Sequence, residues 1–230
     1  MTRTHWAAVT AVVLALLFAG AATVASAGNG GFAAADRAPT GASADAGFAR
    51  DMSVHHQQAV EMSFIVRDRT QDEEVRRLAY DIANTQANQR GMMLGWLDLW
   101  GLPKVSADTE PMAWMSTGGD GSSPGADRSG HSGHSGHAGH QAEDGSLMPG
   151  MATKSDLERL SRLSGKQAEI LYLQLMIIHH NGGIDMAKGC VEQCEVGVER
   201  DLAQGMVDAQ ASEVELMVDL LHKRGAEPRP

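Results

Sequence analysis

The sequence predicts an all-α protein, a four-helix bundle made of two helical hairpins joined by a long crossover. Composition is the first observation behind this. Aromatic residues are only 4% of the chain while Ala, Leu, Val and Met are plentiful, which favours helices over strands. The second is an internal repeat. Met52-x-x-His55-His56-x-x-x-x-x-Met62 recurs as Met176-x-x-His179-His180-x-x-x-x-x-Met186. Arg76, Leu78 and Ala79 match Arg200, Leu202 and Ala203 at the same offset, as Gln86, Ala87, Met93 and Leu97 match Gln210, Ala211, Met217 and Leu221. A fixed offset held over this length means that one supersecondary unit is used twice. The third is the stretch between the copies, rich in Pro, Gly, Ser and Asp and poor in periodic hydrophobicity.

Residues 1–27 read as a signal peptide. Arg3 and His5 precede an apolar run from Trp6 to Ala22, and Ala25-Ser26-Ala27 fits the small-x-small cleavage rule. Cleavage after Ala27 is expected. An uncleaved anchor is the alternative, because the run approaches the ~20 residues that span a bilayer. Either outcome puts the body of the protein outside the cytoplasmic membrane, with no further span. The formal charge of −10 becomes one unit more negative once Arg3 is lost, which argues against nucleic acid and for a field that attracts cations.

A Gly- and Ala-rich leader over 28–41 precedes the bundle, assigned to 42–225. Hairpin 1 covers 43–100: one helix from about Ser43 to Arg69, and a second that follows Asp72-Glu73-Glu74 and stops at Gly101 and Pro103. Its apolar stripe is Val75, Leu78, Ile82, Met93, Leu97 and Trp100. The linker covers 101–152. Hairpin 2 covers 153–225, beginning at a capping box of Thr153 and Asp156, pausing at Gly165, and running to about Gln193. The last helix spans roughly Val198 to Lys223, ahead of Gly225 and a tail at 226–230. Two hairpins with one long crossover make a ferritin-like connection. Hairpins from two chains completing one bundle in a homo-oligomer are the alternative.

The repeated residues suit copper. On a helix, Met52, His55, His56 and Met62 share one arc, but Met62 lies about 15 Å along the axis from Met52. A facing helix must therefore complete any shell. Thioethers are soft and bind Cu(I) well; imidazole serves Cu(I), Cu(II) and Zn. Each Met taken alone is more simply core filler. Paired histidines repeated in register with the same methionines are harder to explain that way. Ala59 and Gly183, between the ligands, leave room for close helix approach. Gln86 and Gln210 lie on the apolar stripe, where a buried amide needs a partner; they are placed to bond the free ring nitrogens or one another's helices.

The linker carries His131, His134, His137 and His140 in Gly/Ser surroundings, a tract that binds Cu(II), Ni(II) or Zn(II) with little selectivity or merely solubilises. Met112, Met115, Met148 and Met151 flank it as weaker Cu(I) candidates. Cys190 and Cys194 are the only cysteines. Export favours a disulfide, but i,i+4 spacing in an intact helix is too wide, so either a tightened turn with a disulfide or a thiol pair is open.

Phe48-x-x-x-Met52-x-x-His55-His56-x-x-Ala59-x-x-Met62, its copy from Tyr172 to Met186, Met148-Pro149-Gly150-Met151 and Gln210-Ala211-x-x-Val214 together resemble the DUF305 family of exported bacterial proteins. The resemblance spans about Ala42 to Arg224, with Gly183 standing where the first copy has alanine. It implies a ferritin-like four-helix bundle and, since some members are associated with copper, a copper link. The expected function is copper binding, buffering or delivery without catalysis, Cu(I) being favoured, with another exported metal-handling protein as partner. A metal-free envelope interaction module is the alternative. A ferritin-like metal oxidase is disfavoured, because no Glu has a His three residues later.

Overall fold

The computed structural model describes residues 38–107, 109–116 and 144–229. The signal segment, most of the leader and the histidine tract at 131, 134, 137 and 140 lie outside the described residues. Helix α1, Ala44–Arg67, starts where the Ser43 hydroxyl accepts the Ala46 N–H at 3.2 Å. Helix α2, Glu73–Leu99, starts at Asp72, whose carboxylate accepts the Val75 N–H at 3.0 Å. The capping box of Thr153 and Asp156 opens a short helix α3, Lys154–Arg162. At Gly165 the structure has a complete break rather than a pause. Leu163 is extended, Gly165 takes φ +54, and its N–H donates to Arg69 O at 2.7 Å, tying the break to the end of α1. Helices α4, Gly165–Gln193, and α5, Gly197–Lys223, form the second hairpin.

α1 packs against both α2 and α4, and α4 against α5, so the two hairpins meet through the α1–α4 pair. The apolar core falls into two clusters. One gathers Met62 and Val66 of α1, Leu78 and Ile82 of α2, Tyr172 and Met176 of α4, and Met217 and Leu221 of α5. The other gathers Phe48 and Met52, Met93 and Leu97, Met186 and Cys190, and Ala203 and Met206. The start of α1 thus lies beside the end of α4, and the pair is antiparallel. Met52 shares a cluster with Met186, and Met62 shares the other with Met176. The histidine pairs sit at the waist between them. At the far end Arg224 locks the hairpins together, reaching Glu169 at 2.7 Å and Asp72 at 2.9 Å.

The ends of the crossover differ from the expected unpacked linker. A 3-10 helix, Ala113–Ser116, buries Trp114 against Phe48, and Met148 and Ala152 are buried in the core. The Trp114 indole N–H and the Met112 N–H both donate to Asp51 Oδ2, at 2.9 and 2.8 Å. Burial pushes the Asp51 carboxyl up, against these two hydrogen bonds. Further on, the Gln58 amide clasps the Ala152 backbone, donating to its carbonyl at 2.9 Å and accepting its N–H at 2.6 Å. Lack of periodicity hid this packing, because it is made by backbone groups and isolated apolar side chains. Among the described residues no helix is long and apolar enough to cross a membrane.

Candidate metal centre

The two His-His pairs face each other where α1 and α4 cross. The rings of His55 and His179 stack with centroids 3.8 Å apart and planes at 33°. All four imidazoles are buried, none more than 1% exposed. Each uses its Nε2. His56 reaches Gln89 Oε1 at 2.8 Å and His180 reaches Glu213 Oε2 at 2.7 Å, both over a separation of 33 residues. His179 reaches His55 O at 3.1 Å, and His55 reaches Pro149 O at 3.3 Å. These partners are all oxygen acceptors, so each Nε2 carries the proton and donates. In a neutral ring this fixes the tautomer and leaves the Nδ1 lone pair free.

Those lone pairs meet nothing. The Nδ1 atoms of His55, His56, His179 and His180 are buried without a hydrogen-bond partner. A buried polar atom left unpaired costs about 1–3 kcal/mol, so four in one layer of the core are a feature to be explained. Burial, helped by the His56 and His180 charges, lowers His55 to about 3. Burial also lowers His56 to about 4, its bond to Gln89 opposing, and holds His179 well below its ordinary value. These three rings are neutral at neutral pH, as metal binding requires.

The crossover closes one side of the layer. Pro149 and Gly150 lie directly on α4 at Gly182, where any side chain would strike the Pro149 carbonyl. Gly150 takes φ +83, and a Cβ there would be 2.6 Å from Ile178 O. Glycine at both positions lets the strap lie flat and bring its carbonyl to His55.

Two expectations change. Gln86 and Gln210 do not bond the rings: both Gln86 side-chain atoms and Gln210 Oε1 are unpaired, and Gln89 and Glu213 take the part. Gln210 instead fills the space beside Gly183, so that glycine admits an amide rather than a helix backbone. Both substitutes share one register position of the repeat, a signal that a search of the apolar stripe alone passes over. Cys190 and Cys194 form a disulfide with Cα atoms 4.8 Å apart, made possible because α4 ends at Gln193 and Cys194 turns out of the helix.

The predicted methionines separate by cluster. Met52 and Met186 are joined by Met93, Met148 and Met206, with Met112, Met115 and Met151 packed alongside. Met62 and Met176 lie with Met217 on the other side. Among the described residues, the group of three His, Cys, Asp or Glu donor atoms lying within 4.8 Å of one another is Asp45, Cys194 and Glu199. The histidines therefore form no three-nitrogen cage, and an ion among them needs further donors. That suits a soft ion of low coordination number better than tetrahedral zinc.

The family described as "Domain of unknown function (DUF305)" matches residues 45–221. No curated protein matches the chain. A DUF305 protein from Streptomyces coelicolor, provisionally assigned as secreted, is 60% identical, with TM-score 0.69 over 83% of this chain and 99% of its own. A DUF305 fragment from Deinococcus radiodurans is 26% identical, with TM-score 0.57 over 78% of this chain and 96% of its own. CopM in its Cu(I)-bound form shares the fold at 17% identity, with TM-score 0.53 over 78% of this chain and 96% of its own. With its doubled His-His hairpin and a family match that runs from the first turn of α1 to the end of α5, this chain belongs to the DUF305 family.

Proposed function

We propose that this protein is an exported copper-binding protein that holds Cu(I) in the His/Met waist of the bundle, buffering copper or passing it on without catalysis. The observation that carries the reading is the set of four buried imidazoles whose Nδ1 atoms have no hydrogen-bond partner. A metal-free core would be expected to pair such atoms. Thioethers of Met52 and Met186 on one side, and of Met62 and Met176 on the other, are the soft donors nearest in sequence to complete a Cu(I) shell. CopM, which shares the fold, is known in Cu(I)-bound and Cu(II)-bound forms. The negative charge of the chain favours cation approach, and the relative provisionally assigned as secreted supports export.

In this reading Gln89, Glu213 and the Pro149 carbonyl hold the rings with Nδ1 free. The histidine tract at 131–140 is a separate capture site. Anaerobic Cu(I) titration against a competing chelator, with and without residues 120–145, tests the division. Tight binding that survives the deletion is expected. Loss of all tight binding with the deletion would leave the bundle a scaffold for the tract.

A further inference from the structure

The repeat places a buried carboxylate near the start of α1 and of α4, and the two are treated differently. Glu169 accepts from Thr70 Oγ1 at 2.5 Å and is neutralised by Arg224 at 2.7 Å. Asp45, its counterpart, lies beside Cys194, the counterpart of Thr70, and faces a second carboxyl, Glu199, in the first turn of α5. One oxygen of Asp45 accepts the N–H groups of Glu195 and Val196, at 2.9 and 2.7 Å, and so holds the turn that leads into α5. Glu199 is fully buried, and neither of its oxygens has a hydrogen-bond partner. No Lys or Arg among the described residues pairs with either acid; the nearby Arg200 is spent on the Cys194 and Glu195 carbonyls. The pocket holds two carboxyls where its twin holds a carboxylate and an arginine.

Donor atoms of Asp45, Cys194 and Glu199 lie within 4.8 Å of one another. In a tetrahedral zinc shell, neighbouring donors are about 3.5 Å apart, so closing the site needs a contraction of roughly 1 Å. While Cys194 is bonded to Cys190, its sulfur is a poor ligand. We propose that this pocket is a second metal site, independent of the histidine layer, closed while the disulfide stands and opened to a divalent cation of the zinc type when a dithiol reduces it. Reduction breaks the Cys190–Cys194 bond, moves two electrons and two protons onto the cysteines, and leaves the dithiol as its disulfide. The ion then displaces one proton from each thiol that it binds and the proton that buried Glu199 carries. Cys190, bonded to Cys194 in the disulfide and freed in the same step, is the candidate for a fourth donor.

The test uses the mature full chain, reduced by a phosphine with water supplying the oxygen of the phosphine oxide, then freed of reductant under anaerobic conditions. Co(II) is the probe, because sulfur-to-cobalt charge transfer in the near-ultraviolet reports thiolate ligation and not histidine. One equivalent is expected to bind to reduced protein with that absorption, and none to give it in oxidised protein. Glu199→Gln should weaken this Co(II) by at least about tenfold, while a His55→Leu/His179→Leu double variant should keep it. No charge-transfer absorption in reduced protein, an unchanged affinity in Glu199→Gln, or loss of helical circular dichroism on reduction alone would each overturn the proposal.

Discussion

Replacing His55 and His179 together by leucine is expected to cost the bundle more than about 100-fold in Cu(I) affinity, since losing groups one step further out already costs 10–100-fold. Its metal-free stability should change little. The two rings stack at 3.8 Å, and each buries an unpaired Nδ1. Leucine removes both orphaned atoms and fills a similar volume. Against that gain stand two lost hydrogen bonds, His55 to the Pro149 carbonyl and His179 to the His55 carbonyl. At about 1 kcal/mol for each bond and 1–3 kcal/mol for each orphan, the two lost bonds (about 2 kcal/mol) are matched at the low end of the gain from the two orphans (about 2–6 kcal/mol). The Pro149 carbonyl, left unpaired by the variant, takes back part of any excess. Chelator competition and urea denaturation of the same samples separate the two effects. A variant that unfolds without metal would make the histidines core residues and no more.

Stability of the metal-free protein is expected to peak near neutral pH and fall on both sides, for different reasons. His55 and His56 are lowered to about 3 and about 4 in the folded state, and burial holds His179 well below its ordinary value. The unfolded chain, with histidines near 6.5, therefore binds more protons once pH drops below that value. Their stabilisation is complete above about 6.5 and is lost as pH falls towards 4, at up to about 1.4 kcal/mol per pH unit for each ring.

Glu199 works in the opposite direction. Burial, then the neighbouring Asp45 charge, raises it to about 9. Its contribution is complete below the ordinary glutamate range and is lost as pH rises through 9. Below 6.5 three histidines outweigh the raised Asp51 and Glu199 carboxyls; from 6.5 to about 9 Glu199 sets the slope. Glu199→Gln should flatten the alkaline limb and leave the acid limb intact, as read from urea midpoints at constant ionic strength. A flat profile from pH 7 to 4 in the parent protein would mean that the rings protonate freely and are not buried as described.

The places where the sequence was readable are those where local chemistry decides. Ser43, Asp72 and the Thr153–Asp156 box stop or start helices through bonds made within a single turn. The His-His pairs stood out because the repeat doubles them in register. Contacts made by backbone or by distant residues stayed hidden. The Pro149 carbonyl that fixes His55 belongs to a segment with no periodicity, and Gly182, which receives it, reads as an ordinary helical glycine. Asp45, an acid in the first turn of α1, holds a turn 150 residues away and faces Glu199. The substitution of Arg224 by no cation at the other end is visible only once the repeat is folded.

Whether the four unpaired Nδ1 atoms take a soft metal is tested most directly by long-range proton–nitrogen NMR of the histidine rings, before and after one equivalent of Ag(I), a diamagnetic stand-in for Cu(I). His55, His56 and His179 are expected as Nε2–H tautomers in the free protein. On adding metal, their Nδ1 resonances should shift while the Nε2 protons persist, ahead of any change at His131, His134, His137 or His140. First response in that tract, with the buried rings unmoved, would contradict the account.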